Sequence, residues 1–331
     1  MRGYRVGVVN PQTPFGGRVR ELLSEQHLPV IELKLFESEP DGETTLAQFH
    51  DEVVVTQPID ADLFPHLDVL FFAGGDTNLM NRMAMEASGD DVLTFVQGAL
   101  ALDAPVMVPG IQDAELATER LVAVPRMASY LVGAVLDRAH VSLGVARANA
   151  TVLLPAGERG APGAAELHEQ VVSILSFKSP PTDIFGEQIA FNVNIAGAGA
   201  GPKSAALAQT VAMEAARLAK LDSVTVNLVQ VPVFHGYAAS MWVELEEAPE
   251  QRAIVAAFRE PPFTIETART AKTPSPVSVA ETNGIHIGGI RRPLEVSQAS
   301  RPGFWLWAVA DTTAYDPAVA AVELAKTALT G

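Results

Sequence analysis

The stretch LDVLFFAGG at Leu67–Gly75 limits the folds open to this chain more than any other. Its apolar residues run on without alternation, so a strand here is buried on both faces, and a parallel sheet layered by helices provides that burial. Gly74 and Gly75 end the run, and Leu79, Met80, Met83 and Met85 follow in a helix-like stretch. Upstream, Tyr4–Val9 is a short β-rich run, and Gly16–Gln26 carries Val19, Leu22 and Leu23 at helical spacing. Val30–Phe36 then alternates Ile31, Leu33 and Leu35 with Glu32 and Lys34, which completes a βαβ unit. Further strands are expected at Pro105–Pro109 and Arg120–Pro125, giving an α/β fold with an open, doubly wound parallel sheet.

Beyond Pro125 the pattern changes. A helix from about Met127 to Ala139 leads to strand-like segments at Ala150–Leu154, Val224–Phe234, Met241–Glu246, Ile285–Ile290 and Phe304–Ala310. Helices near 163–177, 202–221 and 249–259 interleave with them, which suits an α+β domain with a mixed sheet. The last helix, about Pro317–Leu329, is apolar on one side and is expected to return to the first sheet. The chain has 331 residues, enough for two cores. The expected division is 1–125 with 312–331, and 126–311.

The balance of 23 Lys plus Arg against 39 Asp plus Glu gives a net charge of -16, which repels nucleic-acid backbones and anionic lipid. The N-terminus is too broken by Asn10, Pro11 and Pro14 for a signal peptide, and no 18-residue apolar run occurs, so a cytoplasmic protein without membrane or nucleic-acid partners is expected. There is no cysteine, which removes disulfides, thiolate metal sites and cysteine nucleophiles together.

Four ordered segments carry a family resemblance: GEQIAFNV (Gly186–Val193), VPVFHGYAASMWVELEE (Val231–Glu247), IHIGGIRR (Ile285–Arg292) and FWLWAVADTTAYDPAVAAVELA (Phe304–Ala325). Read together, the chain resembles the aspartate-semialdehyde dehydrogenase family over nearly its whole length. The resemblance implies a Rossmann-like first domain, a second domain that carries the chemistry, and a homodimer. It also implies NADPH-dependent reduction of aspartyl phosphate through a cysteine thioester, with NADP as cofactor if the family function survives.

The family's catalytic positions are altered here. The nucleophile motif aligns with AVPRMASYL and puts Met127 at the cysteine, where a thioether has no proton to lose and cannot become the attacking thiolate. The carboxylate-holding arginine aligns with Gln230 and the acid/base histidine with Tyr237; the first has no charge and the second titrates near 10. The assisting glutamine falls at Pro155, or at Leu154 on a one-residue shift. The family's acid and lysine early in the helix after the Gly-rich segment fall near Ala208 and Thr210. Its phosphate-binding arginine segment has no counterpart between Ala99 and Val108.

The cofactor positions are equally changed. The family's Gly-x-x-Gly-x-x-Gly frame becomes Asn10, Thr13 and Gly16, and Pro11 and Pro14 remove amides that would face phosphate. The segment that holds the 2'-phosphate becomes Ser38–Gly42 (SEPDG), with Pro40 and Asp41 where the family has an arginine and its neighbour. Gly74 and Gly75 fit the family's dinucleotide domain, and Thr312 replaces an asparagine.

This pattern matches a pseudoenzyme, most like the Usg-type branch that keeps the fold without the cysteine, with a binding or scaffolding role and no expected cofactor. Two alternatives stand beside it: an active oxidoreductase with a rearranged site, and a small-metabolite sensor using the cleft between domains. The rearranged site would centre on His235 and Tyr237, which share a face if both lie on a strand. His235 is otherwise read as filling the emptied site, and His286 as a solvated or hydrogen-bonded strand residue. The seven histidines include no metal-spaced pair, so no metal is expected. GAGAGPKS (Gly197–Ser204) fails as a phosphate loop because Pro202 interrupts it. Ser129 and Ser240 are read as ordinary hydroxyls, and Trp305 and Trp307, on one strand face, as core or dimer packing.

Overall fold

The computed structural model describes residues 3–25, 28–38, 46–49, 52–98, 104–196, 202–265, 273–292 and 301–330. Contacts divide the chain into two units, Met1–Arg126 with Asp316–Gly331, and Met127–Tyr315. Thr312, grouped with the first unit in the expectation, lies in the second.

The first unit opens with β1 (Tyr4–Val9), α1 (Pro14–Ser24) and β2 (Val30–Glu37), followed by β3 (Leu46–Phe49) and β4 (Glu52–Pro58). The chain then crosses to β5 (Val69–Phe72), α2 (Thr77–Gly89), β6 (Leu93–Gln97) and β7 (Leu121–Val124). The sheet order is β3-β4-β2-β1-β5-β6-β7, parallel throughout except for β3 against β4. Every residue of β5 is fully buried, as the unbroken run LDVLFFA requires. Phe71 stacks on Phe95 at 5.4 Å, and Phe64 meets Phe36 and Phe72 edge-on. The final helix α7 (Pro317–Thr330) belongs to this unit, where the Tyr4 hydroxyl donates to the Leu329 carbonyl at 2.7 Å.

One expected strand is corrected. Pro105–Pro109 forms no strand, because its prolines lack donors; Val106 makes only an isolated bridge to Ala123. The strand next to β5 is β6, within the β-branched and aromatic run VLTFV (Val92–Val96).

The second unit begins with α3 (Met127–Leu143), β8 (Val145–Leu154), α4 (Gly160–Leu175) and the short β9 (Asn194–Ile195). It continues through α5 (Pro202–Leu218), β10 (Val224–Gln230), β11 (Tyr237–Leu245), α6 (Gln251–Ala257), β12 (Phe263–Ile265), β13 (Ile285–Arg291) and β14 (Gly303–Ala310). Their order is β12-β13-β14-β11-β8-β10-β9 in one mixed sheet. β10 stops at Gln230, short of the expected Phe234, because Pro232 cannot donate and Gly236 turns the chain at φ +86°. On one face, Ala148, Ala150, Val152 and Leu154 are buried; α3 packs on β8 and β11, and α5 on β10. On the other face Asn149, Thr225 and Asn227 are exposed and Trp305 is 37% exposed.

Candidate functional site

In the first unit the chain folds β1 to one side through β2, then returns past it to β5, so the carboxyl ends of β1 and β5 meet at the topological switch point where such sheets hold ligands. Asn10 sits at the end of β1 with φ +56°, a left-handed conformation that asparagine tolerates better than most residues. Its Nδ2 donates to the Gly74 carbonyl at 2.6 Å, which ties β1 to the end of β5. Its Oδ1 accepts from the Ser38 amide at 3.0 Å and the Ser38 hydroxyl at 3.1 Å, which ties it to the end of β2. One side chain therefore bridges three strand ends.

The turn that follows spends its own donors. The Thr13 amide bonds to the Asn10 carbonyl, and Thr13 Oγ1 caps α1 by accepting from the Gly16 amide at 3.1 Å. The Gly17 amide goes to the Thr13 carbonyl, and Pro11 and Pro14 have no amide to offer. A Cβ on Gly16 would lie 2.5 Å from the Asn10 carbonyl and 3.0 Å from Ala73, so the helix start is pressed onto the strand ends. A Cβ on Gly75 would lie 2.7 Å from Asn10 Nδ2 and 3.0 Å from Ser38 Oγ, so the β5 loop is folded onto the same side chain. Asn10, Thr13, Gly16, Ser38, Gly74 and Gly75 are thus brought together. Thr312 belongs to the second unit, and its amide and hydroxyl bond to its neighbour Asp311. Pro40, Asp41 and Gly42, Ala99 to Asp103 and Gly197 to Gly201 lie outside the described residues.

The second unit places Gln230, Leu154 and Tyr237, three of the positions singled out through the resemblance, at one end of the sheet. Gln230 pairs with Leu154 across β10 and β8, and Ala238 pairs with Leu153 across β11 and β8. Gln230 is buried, and its Nε2 donates to the carbonyls of Leu154 at 3.0 Å and Val231 at 3.3 Å. Pro155 starts the 3-10 turn Ala156–Arg159, and the Tyr237 hydroxyl donates to the Glu158 carboxylate of that turn. Met127 opens α3 and is buried. The chain reverses at Gly144 between α3 and β8, which sets the Met127 end of the helix toward the Leu154 end of the strand.

One reading of a single residue changes. His235 does not share a strand face with Tyr237: it lies before β11 in an exposed bend, and Gly236 turns the chain between them. Ser129 is fully buried and its hydroxyl donates to Glu214 Oε2 at 2.5 Å, which joins α3 to α5. Thr210 returns its hydroxyl to the Ala206 carbonyl of its own helix at 2.8 Å, and Ala208 lies half-buried on the same helix. His286 bonds through Nε2 to Thr282 Oγ1 at 3.0 Å, as a strand-face histidine does.

Glu158, Glu214 and Asp311 were missed by reading the sequence, because each is defined by a distant partner. Asp311 is buried, which alone would push its carboxyl up. The amides of Glu281 and Thr312 and the hydroxyls of Thr313 and Thr312 outweigh that burial and hold it below the usual range. The Tyr130 phenol, stacked on Tyr315 at 4.2 Å, is pushed up by burial.

A family model described as semialdehyde dehydrogenase, dimerisation domain, matches residues 147–314. The chain belongs to the semialdehyde dehydrogenase family. Among curated relatives it is 24% identical to the aspartate-semialdehyde dehydrogenase of Aquifex aeolicus, covering 98% of this chain and 97% of that one. It is 26% identical to a USG-1 protein homolog of Azotobacter vinelandii, over 97% and 96%. Aspartate semialdehyde dehydrogenase II from Vibrio cholerae shares the fold at TM-score 0.76 and 22% identity, covering 99% of both chains. The enzyme from Candida albicans, solved with NADP, does so at 0.69 and 14%, again over 99% of both. This member of the family thus has a Rossmann-type sheet followed by the family's mixed-sheet domain. Among the described residues no helix is long and apolar enough to cross a membrane.

Proposed function

We propose that the protein is a catalytically inactive relative of aspartate-semialdehyde dehydrogenase, on the Usg-type branch, acting as a homodimer with a binding or scaffolding role. The observation that carries this reading is Met127 at the start of α3, buried and unable to ionise, where the family resemblance puts the nucleophile. Of the other aligned positions, Gln230 offers no cation for a carboxylate and spends its amide on two carbonyls, while Tyr237 is engaged by Glu158. No step of a thioester mechanism can be assigned to these side chains.

The cofactor loop supports the same reading. A dinucleotide pyrophosphate needs free amides and close backbone approach at the β1/β5 crevice. Here the Asn10 amide bridges that crevice and the amides of Thr13, Gly16 and Gly17 are committed within the protein. These residues do not fit NADP. A thermal-shift titration with NADP and NAD tests this: an unchanged unfolding midpoint is expected, and a dose-dependent rise with either dinucleotide would overturn it.

A further inference from the structure

On the face of the mixed sheet turned away from α3 and α5, Thr225, Asn149, Trp242 and Trp305 stand opposite one another across β10, β8, β11 and β14. Two residues further along the same strands, Asn227, Thr151, Ser240 and Trp307 form a second row. Side chains two apart on a strand share a face, so both rows look the same way, with about 4.8 Å between neighbouring strands. Each row runs from indole at the β14 end to neutral amide and hydroxyl groups at the β10 end. Trp242, Trp305 and Trp307 are the three tryptophans of the chain, and all are on this face. Gln230 and Tyr237 alternate with it and belong to the opposite face.

The polar groups of the two rows are largely uncommitted. Thr225 Oγ1 donates to Asn149 Oδ1 at 2.5 Å, which orients the Asn149 amide and leaves its Nδ2 donors for another partner. The side chains of Thr151, Asn227 and Ser240 bond to no other described residue. The rings are held in place: Trp242 Nε1 donates to Glu244 at 3.1 Å and Trp307 Nε1 to the Pro274 carbonyl at 2.8 Å. Trp305 is braced by Trp242 at 5.4 Å and by the Arg291 guanidinium at 5.8 Å. Between the rows lies an open pocket of about 280 Å³, lined by the five amide and hydroxyl side chains and Trp305. No ionisable side chain among the described residues lines it, and the adjoining Arg147 and Glu244 pair with one another at 2.6 Å.

We propose that this face is a binding platform for a neutral oligosaccharide, with Trp305 stacking on a sugar ring and Asn149, Asn227, Thr151 and Ser240 bonding its hydroxyls. Sugar hydroxyls both donate and accept, as do side-chain amides and hydroxyls. The C–H face of a pyranose packs on an indole, which offers a large apolar surface at low cost in freedom. A charged ligand would find no counter-ion here, and an anion is repelled by a chain of net charge -16. An apolar ligand would leave five polar groups without partners. Groups placed one strand apart repeat at a spacing close to that of a sugar ring, which suits a chain of sugars over a single one. The inference goes beyond the inactive-relative reading and does not depend on it.

Because every tryptophan lies on this face, intrinsic fluorescence reports on it directly. Titration of the purified full chain with cellohexaose and with maltohexaose should give a saturable change with at least one of them, and the charged hexagalacturonate should give none. Trp305→Ala and Asn227→Ala replace exposed side chains, so each should weaken the binding about tenfold by calorimetry with little change in the unfolding midpoint. A flat titration with both neutral hexamers overturns the proposal, as does equal binding of hexagalacturonate or an affinity that survives both substitutions. Concentration-dependent exchange protection of 149–151 and 225–227 that neither hexamer relieves would assign the face to a second copy and overturn it too. None of these outcomes alters the dinucleotide titration or the test of the lost reaction.

Discussion

In the first sheet Val8, Val69, Phe71 and Phe95 are fully buried, whereas in the second Asn149 and Thr225 stay open and Trp305 keeps 37% of its surface. Among the described residues both sheets have seven strands, and both receive helices on at least one side. The first is closed within its own unit, and its remaining reactive edge, the β1/β5 crevice, is tied shut by Asn10. The second keeps an uncovered face that carries Asn149, Thr225 and Trp305. The difference teaches where polar and aromatic side chains stay open: on the face of the second sheet, and not at the β1 and β5 ends of the first, where Asn10 is bonded to Gly74 and Ser38.

The largest expected effect lies in the closed sheet. Phe71→Ala removes a ring stacked on Phe95 and should cost about 3–5 kcal/mol by chemical denaturation, whereas Trp305→Ala on the open face should cost the isolated chain less than about 1 kcal/mol. Equal losses would erase the contrast between the sheets. Next comes Asn10→Gly, which keeps the left-handed backbone but deletes the bridge among three strand ends. A loss of about 1–3 kcal/mol is expected, and a neutral result would mean that the crevice is not tied shut by this side chain.

How much of this was legible depended on the range of the interaction. β1, α1, β2 and β5 were readable because their signals are local runs and stripes of apolar residues. β6 was displaced onto Pro105–Pro109, although VLTFV carried the stronger β signal and the prolines argued against a strand. The frame Asn10, Thr13, Gly16 could be picked out only through the family resemblance. Its closure was not, because Asn10 bonds to Ser38 and Gly74, 28 and 64 residues away. The resemblance drew attention to Tyr237, yet its partner Glu158 is 79 residues distant in sequence. Glu166 and Gln170 carry no local signal of their role, since the amides of Ile184, Phe185, Ile189 and Ala190 that they bind lie 18 to 20 residues later.

The smallest expected effect is on pH dependence, and it again separates the units. Asp311 and Glu244, both in the second unit, are held below their ordinary ranges. For Glu244 the first cause is the hydrogen bond from Arg147, with burial opposing it and the Trp242 indole adding to the lowering. For Asp311 burial is outweighed by donated amides and hydroxyls. A depressed carboxylate contributes stability that is fully present above its unfolded pKa of roughly 4 and is lost as pH falls through the lower folded value. Melting curves should therefore show a decline below about pH 4 that Asp311→Asn makes shallower. A decline of unchanged steepness in that variant would remove Asp311 from the account.

The central claim is that this family member has lost its reaction along with its nucleophile. Purified protein and its Met127→Cys variant, each given aspartate semialdehyde, inorganic phosphate and NADP, should form no NADPH above an enzyme-free control, because the carboxylate clamp, acid/base and cofactor turn are changed as well. NADPH formation by either protein that scales with its concentration would contradict the account.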